Sequence, residues 1–284
     1  MSVVQTWRSL NAEQKRILLD KRLEVTRPID ELLALLKPLA ACDARADQSR
    51  TRLGCSFGLA LVLTVAALIA WGNDVPFAMA TALVLLAAAI ALGYFYFWTK
   101  RIDVSNNFRQ FALPVLSVFR EDIDAAPPVR LKLDLGSPTA ASKKQSEKAP
   151  YSMGVYHKVI ESTYLDPWMS AEAVLVDGTK LSWQVTDSIR ELQKTKRNPG
   201  GKYKTKTKYT KKTDLEVRLG IRKKTYDVTA PAGAEVTSGA KRNVVVMERQ
   251  IRSATLDPID PRALIDLIAG VYRNARRARK EAGA

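Results

Sequence analysis

Cysteine and histidine are almost missing: Cys42, Cys55 and His157 are the whole complement of a 284-residue chain. That count excludes a disulfide framework and a Cys/His zinc centre. No GxxxxGK[ST] phosphate loop, GxGxxG turn or HExxH metal helix occurs either. His157 lies on an alternating stretch, where a lone histidine packs or faces water rather than joining a Ser/His/Asp set. Asp166, Asp177, Asp187, Asp257 and Asp260 read as turn or cap residues, whose local hydrogen bonding accounts for them. The expectation is a protein that is not an enzyme, with no catalytic residue, no metal ligand and no cofactor.

Charge is missing in a second sense. Residues 53–71, LGCSFGLALVLTVAALIAW, and 77–98, FAMATALVLLAAAIALGYFYFW, hold no charged side chain. At about 1.5 Å per residue each run crosses a hydrocarbon core of about 30 Å. Core helices of soluble proteins keep a polar stripe, and these runs have none. A two-helix transmembrane hairpin is therefore expected, joined by the short turn 72–76. Within it Gly54 and Gly58 have small-xxx-small spacing, and Ala89 and Gly93, with Ala78 and Ala82, narrow the second run. These residues either pack the hairpin on itself or join hairpins into a homo-oligomer. The absence of charge inside the spans argues against an ion path or carrier site.

No apolar segment follows a basic start within residues 1–52, so the first span is expected to serve as its own uncleaved signal. Arg45, Arg50 and Arg52 precede it, and Lys100 and Arg101 follow the second span. Basic flanks on both outer sides place both termini in the cytoplasm, at the plasma membrane, or the inner membrane if the source is bacterial.

Residues 1–52 are expected to form cytosolic helices, one capped by Asn11 and carrying Ile17, Leu18, Leu23 and Val25, and a second starting near Pro28, with a kink at Pro38. Residues 99–128 form a juxtamembrane helix, interrupted at Pro114, that pairs with the first as a short stalk. From 129 to 284 a cytosolic antiparallel β-rich domain follows, a meander, sandwich or small barrel. Its strands are read at 129–135, 156–164, 169–176, 180–185, 202–209 pairing with 215–221, 226–229 and 243–251. Residues 136–150, rich in Ser, Lys, Ala and Pro, read as a mobile loop. A helix over 260–280 closes the domain, started by Asp260 and Pro261. A β-meander closed by one C-terminal helix resembles, in outline, the layout of pleckstrin-homology-like domains. The fold class is thus an α+β membrane protein.

Residues 129–284 carry 31 Lys/Arg against 17 Asp/Glu, almost all of the net +16. Nine of the basic residues crowd into 194–212 without an acid: Lys194, Lys196, Arg197, Lys202, Lys204, Lys206, Lys208, Lys211 and Lys212. In KYKTKTKY the lysines share one strand face and Tyr203, Thr205, Thr207 and Tyr209 the other. Solvation and edge protection explain such a stripe, and so does contact with an anionic surface. The tyrosines point away from the lysines, so nucleic acid fits less well than lipid headgroups. Function is then expected to be that of a membrane-anchored binding or adaptor module. It would hold a protein partner or anionic ligand at the inner membrane face. The alternative is a ligand-gated effector whose β-domain senses a small anionic molecule and clusters the spans to permeabilise the bilayer.

Overall fold

Helix starts in the N-terminal part are set by reciprocal caps. Ser2 accepts the Gln5 N–H and Gln5 accepts that of Ser2, opening α1 (Val3–Ser9); Asn11 and Gln14 repeat the exchange at 2.8 and 3.0 Å ahead of α2 (Ala12–Asp20). In this computed structural model, which describes residues 2–229 and 231–277, the chain then departs from helix. Leu23 and Val25 lie on β1 (Arg22–Arg27), not on a helix as their spacing suggested. Their alternation is paired with residues 129–134, a partner one hundred residues away that local periodicity does not reveal.

Pro28 does precede a helix, α3 (Ile29–Gly72), and Pro38 does not interrupt it. After a tight turn in which Asp74 and Phe77 take positive φ, α4 (Ala78–Ile102) follows. These two long apolar helices are mostly uncovered: only 11% and 22% of their most apolar stretches are buried. Where they do meet, small residues carry the contact. Ala82 and Ala89 are buried, and the Phe57 ring fills the space a Cβ on Gly93 would take, at 3.0 Å. The ring of Tyr96 lies over Gly54 in the same way at 3.3 Å, whereas Gly58 faces open space. Trp7 of α1 meets Trp98 edge-on with centroids 5.7 Å apart.

Two compact units result: Met1–Asp20 with Lys37–Val104, and Lys21–Leu36 with Ser105–Ala284. The second begins, after α4, with a π-helical turn (Phe108–Ala112) running into α5 (Leu113–Val118), so the juxtamembrane segment is not a continuation of α4. Then come β2 (Val129–Asp134), a 3-10 turn (Ala141–Lys143), β3 (Lys144–Glu147), β4 (Tyr151–Met153), β5 (Tyr156–Val174), β6 (Lys180–Arg197), β7 (Tyr203–Arg222), β8 (Tyr226–Val228), β9 (Ala234–Ser238), β10 (Arg242–Ser253), α6 (Arg262–Arg273) and β11 (Ala275–Arg277).

Among the described residues one antiparallel sheet of nine strands runs β1-β2-β5-β6-β7-β10-β9, with β3 and β4 also on β5. Its order has two ends, so it is an open meander and not a barrel or sandwich. Four expectations are corrected here. Segments 156–164 and 169–176 are one strand, bent by a bulge at Pro167–Met169. Segments 202–209 and 215–221 do not pair with each other; they belong to one strand, whose neighbours are β6 and β10. Residues 144–147, inside the expected loop, pair with β5. The C-terminal helix ends at Arg273, and residues 275–277 pair with β8 instead; the expected helical residues 278–280 lie outside the described residues.

One sheet face is buried. Met169, Trp183, Val185, Leu215 and Val217 lie there, covered by Phe108, Phe111, Phe119 and the α6 residues Leu264, Ile268 and Val271. Phe111 stands edge-on to Trp168 at 5.5 Å. The other face is polar, as the period of two demands of a half-covered sheet.

Candidate functional site

The basic residues read from the sequence do not all gather in one place. β10 reaches only to Ser253, opposite Lys211, so among the described residues β7 from Tyr203 to Thr210 has a free edge, and with the end of β6 it forms a ribbon. On its outer face Lys194 stands directly opposite Lys206, and Lys196 opposite Lys204, with Lys208 and Lys212 further along. Like charges in direct cross-strand apposition are destabilising unless an anion comes between. Glu161, opposite Leu192 on this face, is taken: Arg190 forks onto it at 2.8 and 2.9 Å and Lys148 lies at 3.2 Å. Arg190, chiefly, holds the Glu161 carboxyl down to about 2. Lys202 precedes the strand, and Arg197 donates to the Gly201 carbonyl.

Lys211 is not part of that surface. It faces inward, is buried, and its Nζ donates to the Asp257 carbonyl; burial lowers its pKa, against the pull of Asp187 and Asp257. Around it lies a polar cluster that sequence reading placed in turns. Asp166 and Asp187 are strand residues, directly paired across β5 and β6. Asp187 accepts from Thr213 at 2.5 Å and from Asn107 at 3.3 Å. Lys143, from the expected mobile loop, is buried with Nζ 2.8 Å from Asp166 and 3.1 Å from Asp134. Lys143 Nζ and Asp166 Oδ1 thus meet as a buried ion pair, and the indole N–H groups of Trp168 and Trp183 are buried without a hydrogen-bond acceptor among the described residues.

Burial pushes the Asp166 carboxyl up to about 6, with Asp134 and Asp187 adding to the effect and Lys143 opposing it. The folded chain therefore binds this proton more tightly than the unfolded chain. Its contribution to stability is full below the ordinary 3.8 and is lost as pH rises through about 6. Glu161 acts in the opposite sense, stabilising above 4.5 and losing that effect as pH falls toward about 2. Thermal melts across this range should show Asp166→Asn flattening the decline up to pH 6 while leaving the loss at strongly acid pH.

On the polar sheet face, side by side with these elements, a groove of about 520 Å³ is bordered by Arg130, Lys180, Arg218 and Arg242 over Ser182 and Gly220. The order of charges along the chain hides it, because its members come from four strands. A second groove of about 590 Å³, between α5 and α6, is of mixed character, with Val118, Val176 and Tyr272 among its walls beside Glu121, Asp122 and Asp177.

In the other unit Asp43, Asp47 and Asp103 each offer a carboxylate oxygen within 4.8 Å of the others. Arg50 pairs with both Asp47 and Asp103, and the Val104 N–H donates to Asp43, so protein groups already meet these carboxylates. Residues 54–58, GCSFG, also spell the GxSxG of a nucleophile elbow, contrary to the expectation that this motif is absent. An elbow is a strand-to-helix turn, and these residues are interior to α3. Comparison with protein-family models, curated proteins and solved structures finds no match.

Proposed function

We propose that the chain is an integral membrane protein that presents its β-sheet as a binding surface for an anionic partner. What supports it is the division of exposed side chains. On α3 and α4, Leu59, Val62, Ile69, Val84, Ile90 and Phe97 are each at least 60% exposed, a surface that water does not tolerate and lipid does. On the ribbon, by contrast, Lys204, Lys206 and Lys208 are exposed, the first two directly opposite the half-exposed Lys196 and Lys194. Both termini face the cytoplasm in this reading, and the small residues at the α3–α4 contact serve the hairpin. The ribbon binds acidic protein or lipid headgroups, where each basic residue contributes about 1 kcal/mol near an anionic surface.

A photo-crosslinker at Leu192, opposite Lys208, in the full-length membrane-inserted protein tests this. Capture of an acidic protein or anionic lipid is expected, falling with added salt and in the double variant Lys204→Glu, Lys206→Glu. Capture that ignores both would remove the ribbon from the proposal.

A second reading, a ligand-gated effector that clusters its spans, is favoured by the cationic groove on the same sheet face. Replacing residues 53–98 with an unrelated hairpin separates the two. An adaptor keeps its activity, whereas an effector loses it while remaining in the membrane.

A further inference from the structure

We infer that the groove between Arg130, Lys180, Arg218 and Arg242 is a binding site for a small, soluble, phosphate-bearing molecule, separate from the lysine ribbon. It would supply the sensing site of the second reading, but its evidence is independent of what the spans do.

The shape comes from side-chain size in two neighbouring cross-strand rows. One runs Glu172, Ser182, Arg218 across β5, β6 and β7; the next runs Val174, Lys180, Gly220, Val244 across β5, β6, β7 and β10. Ser182 and Gly220 are the smallest residues of their rows, so the floor drops between long walls. The resulting space of about 520 Å³ falls in the range of small-molecule sites, roughly 300–1,000 Å³.

The charge is one-sided. Four cations line the groove against Glu172. Among the described residues neither Lys180, Arg218 nor Arg242 has an acidic partner, and Arg130 shares Glu24 with Lys132. Arg242 is held in another way: its Nη1 donates to the carbonyls of Gly178 at 2.9 Å and Gly220 at 2.7 Å. Carbonyls fix the guanidinium without neutralising it, so its charge stays available at low ordering cost. The turn that offers the Gly178 carbonyl requires glycine, with φ at +79° and the Arg222 guanidinium 2.6 Å from where a Cβ would stand. Arg222 in turn lies directly opposite Arg242 on the next strand. Such like-charge apposition is relieved by an anion.

Phosphate suits the site better than a single carboxylate, because its several oxygens can meet several convergent cations, including a planar guanidinium fork. A nucleic-acid strand suits it less, since no aromatic side chain lines the groove to stack a base.

Calorimetric titration of the full-length chain in neutral detergent with inorganic pyrophosphate tests the site. Saturable one-to-one binding is expected. Arg218→Gln, at an exposed position, and Ser182→Glu, on the groove floor, should each weaken it by about tenfold or more, the former at unchanged melting temperature. The ribbon variant Lys204→Glu, Lys206→Glu should bind as the parent does. Absence of saturable binding overturns the inference, as does binding lost in the ribbon variant but kept in Arg218→Gln. Titration in nanodiscs of zwitterionic and of anionic phospholipid separates the sources of phosphate. Equal affinity supports a soluble ligand, whereas occlusion by the anionic discs assigns the groove to headgroups and overturns it. Binding that leaves the oligomeric state unchanged upholds the site and counts against the effector reading alone.

Discussion

Lys143→Met is expected to destabilise the β-sheet unit by about 3–5 kcal/mol, the usual cost of leaving a buried carboxylate without its cation. Asp166 is 1% exposed, stands against Asp187 across the strands, and has Lys143 as its ion-pair partner at 2.8 Å. Removing the ammonium leaves the repulsion from Asp134 and Asp187 unopposed. Chemical denaturation followed by tryptophan fluorescence measures the loss, since Trp168 and Trp183 are both buried in this unit. The loss should shrink at pH 5, because the Asp166 carboxyl, already raised to about 6, then takes a proton. Adding Asp166→Leu should recover much of the stability, as apolar replacement of a whole buried pair often does. If Lys143→Met costs nothing at pH 7, the pair is not the closure of this cluster.

Ile90→Arg has the second large effect, and its sign distinguishes lipid from water. Ile90 sits mid-way along α4 and is 65% exposed. In water, arginine at an exposed helix position is close to neutral. At the centre of a bilayer it costs about 2.5–3.5 kcal/mol on insertion scales, enough to displace much of the chain from the membrane fraction. Alkaline extraction of membranes carrying parent and variant reads the difference. Unchanged partition, with the parent also released, would take the spans out of the bilayer.

What the sequence disclosed, and what it hid, follows from which constraints are local. The two apolar helices need no partner to be recognised, because length and lack of charge suffice. Asn11 and Pro28 likewise mark helix starts through bonds made within one turn. The β-sheet is different. In LSWQVTDSIREL, Leu181, Trp183, Val185 and Ile189 alternate inward, and Asp187 falls in phase with them. A polar residue in phase with a buried face was the available sign of the inner cluster; taken alone it looked like a turn. Pro167 looked like a strand end, yet it occupies a bulge within β5, where a missing N–H is tolerated. Lys143 had no sign at all, since its neighbours are Ser, Lys and Ala and its burial depends on Asp134 and Asp166 from elsewhere. Of the candidate surface, the ribbon lysines were legible as a run; the four cations of the groove were not, because β2, β6, β7 and β10 bring them together.

The alternation along β6 and β7 also separates what the chain must keep from what it is free to vary. Trp183 and Val217 oppose each other on the covered face, while Ser182 and Arg218, their immediate neighbours, oppose each other on the open one. Adjacent codons thus answer to unrelated pressures, one to packing in the core and the next to the open surface. A lineage descended from this chain can remake its open face by drifting at every second position of two strands, with no passage through an unfolded intermediate sequence.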